Sequence, residues 1–127
     1  MLLFVFMDLK IFEYLVKLLH LKRNFSGFYK ESNEREWLKE LEKEVKELEA
    51  ELEKGNVEKI KDELGDVMMD FVCVVDKVRS RYNISLEEVV KNLEKKLKHR
   101  APHFFEGKYL PKEEEIKQWV ERKKERV

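Results

Sequence analysis

Four carboxylates at a regular spacing are the residues of this sequence best suited to chemistry. Glu44 and Glu47 stand three positions apart, and Glu63 and Asp66 repeat that spacing further along the chain. Side chains three positions apart share one face of an α-helix, so two adjacent helices would bring all four carboxylates to one point. A site made only of carboxylate oxygens favours Mg²⁺ or Mn²⁺ over zinc. The spacing therefore predicts a Mg²⁺ site, with Mn²⁺ as a possible substitute.

The sequence around the second pair predicts that these acids are enclosed. Asp66 and Asp70 are the only charged residues between Leu64 and Val75, which is typical of a helix that is buried nearly all round. Buried ionised carboxylates are costly unless a positive charge compensates them. Gly65 is unfavourable inside a helix, and we expect it to allow close approach of a backbone or a metal. The alternative is a buried acid pair that Lys or Arg neutralises.

The helix that carries the first pair has two interpretations. Its acids form a narrow stripe beside the apolar face, where the wall of a cleft would lie, and they comprise Glu40, Glu44, Glu47 and Glu51. Lysines alternate with them, and such a pattern is typical of a solvated face supported by ion pairs one turn apart. This helix by itself leaves both interpretations open.

Helical periodicity organises most of the chain. Four segments have apolar residues at spacings of three and four, and they cover residues 8–22, 37–54, 57 to about 81 and 85 to about 100. A last helix is expected from Pro111, while residues 23–33 and 103–110 are expected to be irregular. With only 4 Gly and 2 Pro, the sequence predicts an all-α antiparallel bundle of four to five helices.

Length, charge and cysteine content limit the class of protein. A chain of 127 residues fits one domain. The 27 basic and 27 acidic residues balance, so we expect no nucleic-acid partner. The apolar segment MLLFVFM is interrupted from Asp8 onward, which argues against a membrane span and a secretory signal. The single cysteine, Cys73, fits a reducing cytoplasm.

At the carboxylates and at the end of the fourth predicted helix, the sequence resembles a known family. EVKE at residues 44–47 followed by ELGD at 63–66 is similar to the ExxE…ExxD signature of MazG-type nucleoside triphosphate pyrophosphohydrolases. KLKHRAPHFF at residues 96–105 is similar to the KLxRRHPHVF segment of that family. The family also has a late W-x-x-x-K element, to which Trp119 and Lys123 are similar in position. All three elements agree with those of the family in order and spacing.

The resemblance covers about residues 37–125 and sets the expected organisation of the chain. The Cys-Pro-Trp-Asp element that the family has before its first acidic helix is absent. We therefore expect a single MazG-like domain over residues 1–127, with a divergent helix and loop at 1–36 and the motif-bearing helices at 37–127.

The resemblance also implies an activity and a role for each motif residue. The expected enzyme cleaves a nucleoside triphosphate between the α and β phosphates, with Mg²⁺ bound by the four carboxylates and with Glu44 or Glu47 as the general base. The implied phosphate contacts are Lys59, Lys96 and Arg100, and the implied nucleotide contacts near the end of the chain are Trp119 and Lys123. Spacing alone is also consistent with Lys96 and Arg100 being ordinary surface residues that confer solubility. It is likewise consistent with Trp119 anchoring the last helix in the core.

Alternatives to this function remain open at the level of sequence. The related all-α pyrophosphohydrolases that act on phosphoribosyl-ATP or dUTP share the carboxylate layout. A noncatalytic helical interaction module, whose acids only confer solubility, is the alternative from another class. Because the first helix is apolar on a broad surface, we also expect a homodimer or a higher homo-oligomer, as the family resemblance implies too.

Overall fold

The computed structural model describes the backbone of residues 2–125 and the side chains of residues 8–125. The whole segment MLLFVFM, on which the dimer expectation partly rests, therefore lies outside the residues whose side chains the structure describes. Within the described residues the chain forms seven helices and no strand. The helices are α1 (Leu2–Phe25), α2 (Gly27–Glu31), α3 (Glu34–Lys54), α4 (Val57–Tyr82), α5 (Leu86–Arg100), α6 (His103–Glu106) and α7 (Lys112–Lys123).

A tight turn between the two longest acidic helices fixes how they pack. Gly55 ends α3 with φ of 70°, a left-handed conformation that glycine adopts at low cost. The side chain of Asn56 then accepts a hydrogen bond from the backbone N–H of Lys59 at 3.2 Å and caps the start of α4. Because only these two residues separate the helices, α3 and α4 pack against each other as an antiparallel pair.

The chain divides into two compact units, of which the first is Met1–Asn83. In this unit α4 packs against both α3 and α1. The buried cluster comprises Leu19, Tyr29, Trp37 and Cys73, which is fully buried. Burial raises the pKa of the Cys73 thiol to about 11, which is typical of a cysteine that packs in a core.

A buried polar network fastens α1 and α2 to α4. Arg23 donates from Nε to the Asp76 carboxylate at 2.9 Å, and Arg23 Nη2 and the Tyr29 hydroxyl also donate to this carboxylate. Burial alone would raise the pKa of Asp76, but the hydrogen bonds from Arg23 and Tyr29 outweigh burial and lower it. The carboxylate is therefore ionised and paired, and it ties the N-terminal helices to the core.

The second unit, Ile84–Val127, is built on α5. A capping box starts this helix, in which Ser85 accepts from the N–H of Glu88 at 3.1 Å and Glu88 accepts from the N–H of Ser85 at 2.8 Å. Both α6 and α7 pack against α5, and the side chain of Gln118 donates to the backbone carbonyl of Arg100 at 3.2 Å.

The predicted all-α class and the long helices are confirmed, and the differences are local. Residues 23–33 were expected to be irregular, but α1 extends to Phe25, and Ser26 caps the short helix α2 by accepting from the N–H of Tyr29 at 3.1 Å. The second segment expected to be irregular contains α6. The prediction of a single domain stays a prediction. No helix among the described residues combines the length and the apolar character that a membrane crossing requires.

Candidate active site

The α3–α4 pair brings together three of the four predicted metal ligands. Glu44 comes from α3, and Glu63 and Asp66 come from successive turns of α4. One carboxylate oxygen of each lies within 4.8 Å of the others. Glu44 and Glu63 are half-buried, and Asp66 is exposed. The arrangement offers three oxygen ligands of the kind that a hard divalent cation takes.

Unsatisfied oxygens in this group indicate that a positive charge belongs there. Glu44 Oε2 and Glu63 Oε2 are buried and have no hydrogen-bond partner within the part of the chain that the structure describes. Burial, followed by contact with Glu47, raises the pKa of Glu44 to about 7. Burial and Glu47 also raise the pKa of the Glu63 carboxyl. Crowded carboxylates without donors fit a cation, which would supply the missing partner.

Glu47, the fourth predicted ligand, lies beside this group. It is exposed, and its carboxylate contributes to the raised pKa of both Glu44 and Glu63. It does not belong to the group whose oxygens lie within 4.8 Å of one another. Of the two carboxylates expected on α3, Glu44 belongs to this group and Glu47 lies outside it.

The ion pairs expected of a solvated α3 face are largely missing. Within residues 8–125, the ion pair inside α3 joins Lys54 to Glu51 at 3.6 Å, and none forms at Lys39, Lys43 or Lys46. Apart from Glu51, the acids of this stripe thus form no ion pair with lysines of their own helix among the described residues. This observation favours the cleft-wall interpretation of the acidic stripe over the solvated one.

Two expectations about α4 are wrong in part. Asp66 was expected to be buried, but it is exposed, whereas Asp70 is buried with 8% of its surface accessible. Asp70 lies against Glu40 of α3 and within electrostatic reach of Lys22 of α1, the two helices that pack on α4. Gly65 was expected to permit a close approach, but a Cβ at that position would meet no atom within 4 Å.

A second acidic group was not among the predicted ligand sets. Oxygens of Glu40, Glu44 and Asp70 also lie within 4.8 Å of one another. The signal was present in the sequence, because Glu40 precedes Glu44 by one turn and Asp70 follows Asp66 by one turn. Whether Glu40 and Asp70 come together depends on which helices pack against each other. The spacing of residues within one helix does not show this.

Lys59 lies one turn before Glu63 on α4 and is exposed. Its backbone N–H is used by the Asn56 cap, while its side chain makes no ion pair with any residue that the structure describes. The position is compatible with the predicted contact to an anionic substrate.

In the second unit, basic residues of α5 line a concave pocket of about 210 Å³. Lys96 is exposed and Arg100 is half-buried, and both contribute to it. The remaining lining residues are Asn92, Lys95, His99 and Glu125. The structure thus places the two predicted phosphate contacts of α5 in the same pocket.

Trp119 packs against one of these cations. The guanidinium carbon of Arg100 lies 5.4 Å from the centroid of the Trp119 ring, a cation–π contact between α5 and α7. Trp119 is half-buried, and Lys123, one turn later, is exposed. The family resemblance implied separate contacts for Arg100 and Trp119, whereas the fold makes them neighbours.

The comparisons with known proteins agree with this architecture. The sequence profile of the MazG nucleotide pyrophosphohydrolase domain matches residues 32–105. The chain therefore belongs to the MazG nucleotide pyrophosphohydrolase domain family. The matched range includes both acidic groups as well as Lys59, Lys96 and Arg100, but not Trp119 or Lys123.

One curated relative and one solved structure show how far the similarity extends. A nucleoside triphosphate pyrophosphohydrolase of Mycolicibacterium smegmatis is 31% identical over 71 residues, which is 54% of this chain and 22% of that protein. The match thus spans about a fifth of the relative's length. The crystal structure of a mazG-related protein from Thermotoga maritima has a TM-score of 0.79 and 26% identity, covering 89% of this chain and 99% of that one.

Proposed function

We propose that this chain hydrolyses nucleoside triphosphates between the α and β phosphates and releases a nucleoside monophosphate and pyrophosphate, with Mg²⁺ as the required ion. The observation that carries the proposal is the group formed by Glu44, Glu63 and Asp66, with two buried oxygens that lack hydrogen-bond partners. The group lies on the two helices that the family profile matches in full from Glu34 to Tyr82.

Glu44, Glu63 and Asp66 would hold the ion, with Glu47 beside them. Mg²⁺ bound there would neutralise phosphate charge and make a nearby water more acidic. Mn²⁺ also prefers oxygen ligands and is therefore a suitable substitute for Mg²⁺ in experiments.

Glu47 is the better candidate for the general base. Hydrolysis adds the oxygen of water to phosphorus, breaks the P–O bond between the α and β phosphates, and releases a proton that a base must accept. The sequence left Glu44 and Glu47 as equal candidates. Since Glu44 belongs to the ion-binding group and Glu47 lies outside it, Glu47 keeps a carboxylate available for that proton.

Cationic and aromatic residues complete the proposed substrate contacts. Lys59, Lys96 and Arg100 are proposed to bind phosphate oxygens, and Arg100 is suited to two parallel hydrogen bonds. Trp119 is proposed to stack on the base, with Lys123 as a further cation. Support for these roles comes from the motif resemblance and, for Lys96 and Arg100, from their shared pocket.

We further propose a homodimer or higher homo-oligomer in the cytoplasm. Support for the assembly comes from α1, on which several large apolar side chains are exposed, including Leu9, Phe12 and Val16. The proposed nucleoside triphosphate substrate and the free, buried Cys73 are both consistent with the cytoplasm.

The test is a substrate screen of the full chain with Mg²⁺. Each of the common ribonucleoside and deoxyribonucleoside triphosphates, and dUTP, is incubated with the protein, and ³¹P NMR separates pyrophosphate from orthophosphate. We expect pyrophosphate and the matching monophosphate in equal amounts. Orthophosphate as the product would contradict the proposed bond cleavage. No hydrolysis, combined with Mg²⁺ binding no tighter than that of an acidic surface, would favour the noncatalytic module.

A further inference from the structure

Two consecutive residues of α7 contact Arg100, one at its backbone and one at its side chain. The guanidinium carbon of Arg100 lies 5.4 Å from the centroid of the Trp119 ring. The backbone carbonyl of Arg100 accepts a hydrogen bond from the side-chain amide of Gln118 at 3.2 Å. The proposed phosphate contact is therefore attached to α7 at both of its ends.

The carbonyl of Arg100 needs a partner from elsewhere because α5 ends at this residue. The last four carbonyls of a helix have no partner within it. In a continued helix the N–H of Phe104 would donate to Arg100, but it donates to Ala101 at 3.0 Å instead. Pro102 has no backbone N–H to offer. The Gln118 amide thus supplies a hydrogen bond that the backbone after α5 does not.

His103 of α6 orients the same amide. Its Nδ1 lies 3.4 Å from the amide nitrogen of Gln118, and only 6% of the His103 surface is accessible. An amide nitrogen only donates, so Nδ1 accepts, and the proton of the neutral ring is on Nε2. Nε2 is buried without a hydrogen-bond partner among the described residues and faces the Glu115 carboxylate at 3.7 Å. Two acceptors, the Arg100 carbonyl and the His103 ring, therefore determine which way the Gln118 amide points.

We propose that Gln118 is a positioning residue for the pocket on α5, acting through Arg100. Arg100 lines this pocket together with Lys96. A guanidinium binds phosphate oxygens through two parallel hydrogen bonds, and these require a defined orientation of its plane. Gln118 fixes the backbone from which the side chain extends, and Trp119 supports the planar group at its end. Gln118 lies outside residues 32–105, which the family profile matches.

The inference rests on the proposed function for the nature of the anion, which is a phosphate chain. The test is a double-mutant cycle with inorganic pyrophosphate as the probe. Calorimetric titration of the full chain gives the Kd for pyrophosphate without nucleotide or turnover. Gln118→Met keeps the length of the side chain and removes the N–H donor, and it should raise the Kd about tenfold, the upper end of what one hydrogen bond contributes.

The backgrounds of the cycle separate positioning from general stability. In Arg100→Ala, the further change Gln118→Met should alter the Kd by less than about twofold, because the residue through which Gln118 acts is gone. In Lys96→Ala, which leaves Arg100 in place, Gln118→Met should keep its effect of about tenfold. A role that is merely structural would give the same loss in both backgrounds.

Controls come from the same helix and the same position. Lys117→Met places the same side chain at the neighbouring, exposed position of α7 and should leave the Kd close to that of the wild type. Circular dichroism and the Tm establish that each variant is folded. Gln118→Glu keeps the shape of the side chain but has no N–H donor when ionised, and it decides the question if Gln118→Met does not fold.

Three results would overturn the positioning role. They are a wild type that binds no pyrophosphate, an unchanged Kd in the folded Gln118 variants, and an equal effect of Gln118→Met with and without Arg100. A wild type that shows the expected coupling but hydrolyses no triphosphate would overturn the proposed function alone. An active protein in which the two substitutions act independently would overturn the positioning role alone.

Discussion

Glu44 of α3 and Glu63 of α4 have carboxylate oxygens within 4.8 Å of each other, and each buries an Oε2 atom that accepts no hydrogen bond from the described chain. Two acids at this separation repel unless a proton or a cation lies between them. The fold therefore keeps an unfavourable arrangement at the junction of its two longest acidic helices. Such an arrangement is expected at a functional site and not in a structural core.

Loss of one ion ligand should remove activity without unfolding the protein. Glu63→Gln and Asp66→Asn are expected to lower kcat/KM by about 100-fold or more, since even the indirect partners of metal ligands cost 10–100-fold when mutated. The metal-free Tm should stay the same or rise, because repulsion between carboxylates is relieved. Kinetics with Mg²⁺, calorimetric Mg²⁺ titration and thermal melts provide the measurements.

Asp62→Asn is the matched control for this pair, since Asp62 is an exposed acid of the same helix. It should keep wild-type activity and Mg²⁺ affinity. Full activity in Glu63→Gln or Asp66→Asn would refute the metal-site assignment. A lowered Tm with unchanged Mg²⁺ affinity would instead identify these acids as structural.

The Arg23–Asp76 pair should make stability depend on pH in the acid range. Because the pKa of Asp76 is lower in the folded chain than its usual value of 3.8, the ionised form stabilises the fold at pH values above 3.8. This stabilisation is lost as the pH falls below 3.8 and the carboxyl takes up a proton. Asp76→Asn should therefore cost free energy of unfolding at pH 7 and much less at pH 2.

We expect the cost at pH 7 to be about 2 kcal/mol, below the ~3–5 kcal/mol of a fully buried pair, since solvent partly reaches Arg23. Urea unfolding of the wild type and Asp76→Asn at several pH values measures the difference. Asp62→Asn serves as the control, with a small and nearly constant effect. A difference that does not change with pH would show that the ion pair is not what Asp76 contributes.

Trp119 should affect the choice of base, whereas the α5 cations should not. Lys96→Ala and Arg100→Ala are expected to reduce kcat/KM for all triphosphates alike, because the phosphates are common to them. Trp119→Ala should change the ratio between a purine and a pyrimidine triphosphate by about tenfold, since stacking is worth roughly 1–3 kcal/mol per base in nucleic-acid sites.

The contact between Arg100 and Trp119 sets the competing outcome. If the ring mainly supports the guanidinium, Trp119→Ala will depress all substrates in parallel and lower the Tm. Trp119→Phe retains an aromatic face and should behave close to the wild type in both assays. An unchanged purine-to-pyrimidine ratio with a destabilised fold would make Trp119 a positioning and core residue.

Exposed apolar residues of α1 should mediate self-association. Phe12 is 57% exposed, and Leu9 and Val16 lie within one turn of it on the same helix. Light scattering at micromolar concentration should give the mass of a dimer or larger assembly for the wild type and a smaller mass for Phe12→Glu. Lys17→Gln changes the net charge equally at an exposed polar position and should not dissociate the assembly. A monomeric wild type would contradict this prediction.

Local chemistry made several features predictable from sequence. Gly55 and Asn56 are suited to end one helix and begin the next, and the Ser85–Glu88 capping box marks the start of α5. The spacing of Glu63 and Asp66 places them on one helical face. These features depend on residues within one turn of each other, so the order of the amino acids determines them directly.

Some local structure escaped prediction because its sequence signal is short. Helices α2 and α6 span five and four residues, too few to show an apolar period. A capping residue such as Ser26 starts a stable short helix only when the residues after it pack against the rest of the chain. Tyr29 does so by donating a hydrogen bond to Asp76. Tertiary contacts therefore stabilise these turns.

The sequence by itself determined the helical class, the short connection between α3 and α4, and the spacing of the four carboxylates that point to a cation. Only the tertiary structure decided that Asp70 is buried and Asp66 exposed, that Glu40 faces Asp70 across the helix pair, and that Arg100 packs on Trp119. The physical reason is that helical spacing fixes which side chains share a face, whereas burial and charge pairing depend on what packs against that face. Residues far apart in the chain supply those neighbours, and folding brings them into contact.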